Sequence, residues 1–172
     1  MKEIISIVLI SILSHFAYSQ DKCDEKSLKT NAKTFKRNKK IDNRIEASFK
    51  LAKCFKDKND SLSKYYFLCT IDLCKQNQAR RDKLTRVLHV AGISYYEIKD
   101  YKTAEIYLSK AILRNYADND LFFYYGVSLL QNEKYKEALD SFEKHKFINS
   151  IQSDKLIDEN IDKCKLNIKN VR

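Results

Sequence analysis

Five cysteines and three histidines are the side chains of this 172-residue sequence with a claim to nucleophilic, basic or metal-binding chemistry. Their spacing argues against most of it. Cys23, Cys54, Cys69, Cys74 and Cys164 include no Cys-x-x-Cys pair, so the twinned donors of a structural zinc site are missing. His89 with Cys54 or Cys69 would make a base and a thiol nucleophile, yet no Gly-rich phosphate loop or nucleophile elbow accompanies them. The favoured reading is therefore not an enzyme. His89 is expected to be partly exposed, the cysteines buried or bonded, and no cofactor or metal is called for. In an oxidising compartment the five thiols can form two disulfides and leave one over. Cys69 and Cys74, five residues apart, turn about 140° away from each other on one helix and should not pair. The remaining connectivity stays open.

The compartment follows from the first residues. Met1 to Ser19 carries Lys2, an apolar run from Ile4 to Leu13 and small residues at Ala17 and Ser19. That is the form of a secretory signal peptide cut before Gln20. The run is short for a transmembrane helix, and an uncleaved anchor is the alternative. Cys23 is not preceded by the small residues a lipoprotein site needs. The expectation is an exported chain, periplasmic or secreted, without stable membrane insertion after cleavage. The Lys-, Ile- and Asn-rich composition suits a bacterial envelope protein.

Net charge is +10, and it is uneven. Residues 21–98 hold 19 Lys/Arg against 10 Asp/Glu, whereas residues 99–172 hold 13 against 12. Lys22 to Lys40 contributes eight of the cations, and Arg80, Arg81, Lys83 and Arg86 form a second group. Such surfaces meet anionic lipid, nucleic acid or acidic proteins. No aromatic-basic interleaving supports nucleic acid, and a solvated lysine face is the plainer reading.

The elements that must position these residues are helices. The chain has no proline and two glycines, which removes the punctuation of hairpins. Apolar periodicity predicts a first helix within 21–40 with Leu28, Ala32 and Phe35 on one face. It predicts others over 41–57, from the Asn59-Asp60-Ser61 cap to Lys75, over 82–98, 101–115, 121–132, 135–148 and 154–170. The helix ending at Lys75 carries Tyr65, Leu68, Cys69 and Ile71. Gly92 and Gly126 lie 34 residues apart, as do Ala104 and Ala138, and Leu108 and Phe142. Small residues recurring at that interval suggest close helix crossings in stacked hairpins, with Ala104 expected to answer Gly92.

These residues resemble the tetratricopeptide repeat. Its signature is matched by Leu88, Gly92, Tyr95, Ala104, Leu108 and Ala111, then by Phe122, Gly126, Leu129, Ala138, Phe142 and His145, and by the phrase EKYKEALDSFEKHKFIN. Tyr116 and Ser150 stand where the family often has proline, and His145 occupies a usually small position. A degenerate third copy fits Ile45 to Asn77 at a spacing of 40, placing Ala52, Phe55, Lys64, Leu68 and Ile71 in the matching places.

The resemblance implies an all-α fold, an α-α superhelix of right-handed stacked hairpins, with a concave groove lined by each first helix. The implied organisation is a leader (1–19), a basic segment (20–40), a degenerate hairpin (41–81), two repeats (82–150) and a capping helix (151–172). Transferred by position, the groove residues are Phe49, Lys53, Lys56, Arg86, His89, Ile93, Tyr96, Phe123, Val127 and Leu130. That is a basic end grading into an apolar one, suited to a protein or peptide ligand with an acidic part. The family's chaperone-tail clamp is not implied, since its places hold Phe49, His89 and Phe123, then Lys53, Ile93 and Val127. The function expected is a scaffold or adaptor. The alternatives are a self-associating solenoid, as a homo-oligomer, and a binder of anionic surfaces through the basic half, with no nucleic acid expected.

Overall fold

The computed structural model describes residues 23–77, 85–116, 118–150 and 154–170. The leader and the Arg80–Arg81–Lys83 cluster lie outside them. The described residues form helices α1 (Glu25–Arg37), α2 (Ile41–Phe55), α3 (Asp60–Gln76), α4 (Thr85–Glu97), α5 (Tyr101–Leu113), α6 (Leu121–Gln131), α7 (Tyr135–Ile148) and α8 (Lys155–Asn170). The fold is all-α. None of these helices is long and apolar enough to cross a membrane.

Short polar side chains start several of the helices by accepting an otherwise unpartnered backbone N–H. Asp24 accepts from Ser27 N at 2.7 Å, Asn59 from Leu62 N at 3.0 Å, and Asp100 from Thr103 N at 3.2 Å. The helices then pack as consecutive pairs, α2 on α3, α4 on α5 and α6 on α7, with α1 on α2 and α8 on α7 at the two ends. First helices also touch one another, α2 to α4, α4 to α6 and α6 to α8, whereas among the described residues no second helix touches the next. This is the contact pattern of a helical-repeat stack.

The glycine spacing has a direct packing cause, although not the expected one. A Cβ on Gly92 would lie 2.7 Å from both Cγ and Cδ2 of Leu108, and one on Gly126 would lie 2.9 Å from Cε1 of Phe142. The large residue sixteen positions on, rather than Ala104, presses into the glycine. Both large residues are fully buried, so the crossing is tight twice at the same interval. The turns repeat as well. Lys99 (φ 66°) and Glu133 (φ 62°) are both left-handed. After each, the next residue donates five positions back, Asp100 N to Tyr95 O and Lys134 N to Leu129 O, both at 2.9 Å. That is a left-handed helix stop built without glycine.

In α3 the expected repeat register is corrected. Tyr65 and Leu68 are exposed (53% and 46%), while Ser63, Phe67, Thr70, Ile71 and Cys74 are buried. Phe67 is the eighth residue of α3, as Leu108 is of α5 and Phe142 of α7. Ser63, Phe67 and Thr70 therefore match Ala104, Leu108 and Ala111 at a spacing of 41, one residue off the expected register. Hydroxyls make this interface. Ser63 Oγ donates to Ala52 O at 2.9 Å, and Ser48 Oγ lies 2.8 Å from Thr70 Oγ1. His145, at the position expected to be small, is buried with Nδ1 3.0 Å from the Asn119 carbonyl oxygen.

Candidate functional site

A hollow of about 380 Å³ opens between α2, α4 and the residues that lead into α6. Two helical stripes build it. On α2 these are Glu46, Phe49, Lys50 and Lys53, with Lys56 just past its end, and on α4 they are Arg86, His89, Val90, Ile93 and Glu97; Asp57, Asp118, Asp120 and Tyr124 complete the lining. Six of the ten groove positions named from the resemblance thus share one hollow: Phe49, Lys53, Lys56, Arg86, His89 and Ile93.

The other four do not line it. Tyr96 is half-buried, edge-on to Tyr101 at 5.9 Å and to Tyr124 at 5.0 Å, and burial pushes its phenol up to about 12. Phe123, Val127 and Leu130 are partly buried against a core that includes Leu129, Phe142 and the α8 residues Ile157, Ile161 and Cys164. The apolar end expected of the groove is largely spent on internal packing.

The expected basic end is charge-compensated. Lys50, Lys53, Lys56 and Arg86 stand among Glu46, Asp57, Glu97, Asp118 and Asp120, four cations beside five carboxylates. Arg86 is tied down. Its Nε and Nη2 donate to the two oxygens of Glu46 at 3.0 and 2.6 Å, and Nη1 donates to Tyr116 Oη at 2.9 Å. The hydrogen bonds to Glu46 raise its pKa above the ordinary guanidinium value. Lys56 Nζ donates to Glu97 at 2.6 Å, and Lys53 Nζ stands 5.8 Å from the centre of the Phe49 ring.

His89 is buried, 4% exposed, rather than partly open. Neither ring nitrogen has a hydrogen-bond partner among the described residues. Nε2 is 3.6 Å from Asp118 Oδ1, beyond good hydrogen-bonding distance, and the ring lies tilted on Tyr116 at 4.6 Å. Burial holds its pKa down at about 4; Asp118 opposes this, while Arg86 and Lys53 add to it. The imidazole is therefore neutral at pH 7, with a donor and an acceptor both unmet.

Sequence reasoning missed Glu46, Lys50, Val90 and Glu97, although each lies one helical turn from a named residue on the same stripe, and it missed Asp57 and Tyr124 as well. Asp118 and Asp120 arrive from the turn before α6, which only the tertiary fold brings there. Elsewhere, Cys23 and Cys54 form a disulfide with Cα atoms 5.2 Å apart. Cys69, Cys74 and Cys164 are not disulfide-bonded, so one disulfide forms where two were allowed. Cys69 and Cys74 share α3, and α8, which carries Cys164, does not touch that helix. Among the described residues no group of three or more His, Cys, Asp or Glu side chains is arranged to hold a metal. The chain matches no known family model, and neither a curated protein nor a solved structure is significantly similar to it.

Proposed function

We propose that this chain is an exported, tetratricopeptide-type scaffold that takes up a segment of a partner protein in the hollow between α2, α4 and α6. The observation that carries this reading is His89, buried in the wall with both nitrogens unmet. A buried polar group without a partner costs about 1–3 kcal/mol, and a small shift of the wall that opens either nitrogen to an occupant's peptide amide would recover part of that. Contacts between successive first helices support a groove on that side of the stack. The mixed charges favour a segment carrying both signs over a purely acidic one. Export is supported by the Cys23–Cys54 disulfide, since such bonds persist in oxidising compartments.

The test is site-specific photo-cross-linking in an envelope extract, with the probe at Lys50 or Lys53 in the hollow and at Lys163 on the outer side of α8. A discrete cross-linked protein from the first two positions, and not from Lys163, is expected. Equal labelling from all three, or none, overturns the reading. Arg86 is unsuitable as a probe position because its loss would break the tie to Glu46.

A further inference from the structure

We propose that the outward face of α1 is a docking surface for a membrane face rich in anionic phospholipid headgroups. Lys26, Lys29, Lys33, Lys36 and Arg37 are all exposed on this helix. At 100° per residue they fall within an arc of about 100°, and eleven steps of 1.5 Å make a stripe about 16 Å long. The only carboxylate of the helix itself is Glu25, paired with Lys29 at 2.6 Å and as exposed as its partner. Lys39 and Lys40, also exposed, follow the helix end.

The orientation of this face is fixed by what lies behind it. Leu28, Ala32 and Phe35 are partly buried on the opposite side of α1. Phe35 meets Tyr66 edge-on at 5.7 Å, and Arg44 Nε donates to the Phe35 carbonyl oxygen at 3.0 Å. At the other end the Cys23–Cys54 disulfide fastens the start of the helix to the end of α2, and Lys58 Nζ donates to Cys23 O at 3.2 Å. The apolar residues are thus committed to the protein, and the cations point outward as a set.

The chemistry of the stripe favours headgroups over nucleic acid. No aromatic side chain lies between the cations to stack on a base, since Phe35 is turned inward. Four of the five are lysines, point charges without the planar fork that matches fixed phosphates bidentately. A straight row of such charges suits a plane of mobile anionic groups, where each basic residue contributes about fivefold to partitioning. With no apolar residue on the outer side, the helix rests on the headgroups without inserting, so binding is purely electrostatic and salt-labile. This surface is separate from the hollow and does not depend on its occupant.

The experiment is co-sedimentation of the disulfide-intact chain from Gln20 onward with phosphatidylcholine vesicles containing roughly one-third phosphatidylglycerol, and with pure phosphatidylcholine. Binding to the anionic vesicles alone, largely lost between about 50 and about 300 mM salt, is expected. The Lys26→Gln/Lys33→Gln/Lys36→Gln variant should partition about a hundredfold more weakly. A charge-matched control, Lys136→Gln/Lys155→Gln/Lys163→Gln, should stay within about twofold of the parent, since its charges lie off the stripe. Circular dichroism of both variants shows whether the helices persist. Equal loss in the two variants would reduce the effect to net charge and overturn the proposal, as would failure to bind anionic vesicles. Tighter binding to duplex DNA or RNA than to the vesicles at the same salt would overturn it in favour of a nucleic-acid partner.

Discussion

Replacing Gly92 with alanine sets two opposing effects against each other. Alanine in a helix interior is favoured over glycine by about 1 kcal/mol. Against this, the new methyl group would stand 2.7 Å from Cγ and Cδ2 of Leu108 and 3.2 Å from its backbone nitrogen. Overpacking of a core costs about 1–3 kcal/mol. The cost should lie at the upper end here, because Cγ is the branch point of a fully buried side chain and not a free tip. The expected net loss is about 1–2 kcal/mol, read as a lower urea midpoint with an unchanged slope. The decisive comparison is made in a Leu108→Ala background, itself about 2–5 kcal/mol less stable. There the side-chain clash is gone, leaving only the 3.2 Å approach to the backbone nitrogen of residue 108, and Gly92→Ala should stabilise by up to about 1 kcal/mol, so the sign reverses and the two sites are strongly coupled. If Gly92→Ala raises the midpoint in the parent chain, or lowers it equally in both backgrounds, the crossing at Leu108 is not what demands glycine.

Two further predictions rest on the turns and on the buried imidazole. Lys99→Gly and Glu133→Gly should each stabilise by about 0.5–1 kcal/mol, the relief of about 1–2 kcal/mol of left-handed strain less the added freedom of the unfolded chain; no gain in urea midpoint would refute the strain. His89 has a folded-state pKa of about 4 against an ordinary 6.5, so between those values the unfolded chain binds the extra proton. Stability should fall as pH drops through that window, by up to about 3 kcal/mol, and be unaffected by this residue above it; His89→Phe should flatten the fall between pH 7 and 4.5, and an unchanged pH profile would show that the ring is not buried neutral.

The parts of the fold legible in the sequence are those whose cause is carried by residue type. Gly92 and Gly126 are small because Leu108 and Phe142 press on them, and that demand appears as a 34-residue interval. The register of α3 was not legible, because Ser63 and Thr70 enter the core through hydroxyl bonds to Ala52 and the neighbouring helix while Tyr65 and Leu68 stay outside. Apolar periodicity weighs the second pair and discounts the first. The left-handed turns at Lys99 and Glu133 were invisible for a similar reason, since long polar residues give no conformational signal. At the candidate site three of the four cations were found, and Lys50 and the acidic partners were not. Arg86 and Glu46 are 40 positions apart and meet only when α2 and α4 stack.

The α2–α4 and α4–α6 junctions use different chemistry, and this places the hollow at the first of them. Between α2 and α4 the links are charged, Arg86 to Glu46 and Lys56 to Glu97. Their side chains are long and partly exposed, and they span the gap without filling it. Between α4 and α6 the link is aromatic: Tyr96 meets Tyr124 edge-on at 5.0 Å, and burial raises the pKa of both phenols. Rings in contact exclude water from that junction, while ion pairs at the first leave a hollow. The one buried side chain with unmet polar atoms, among the described residues, faces the charged junction. Among the described residues, room, unmet hydrogen bonding and mixed charge therefore coincide in the hollow at α2 and α4.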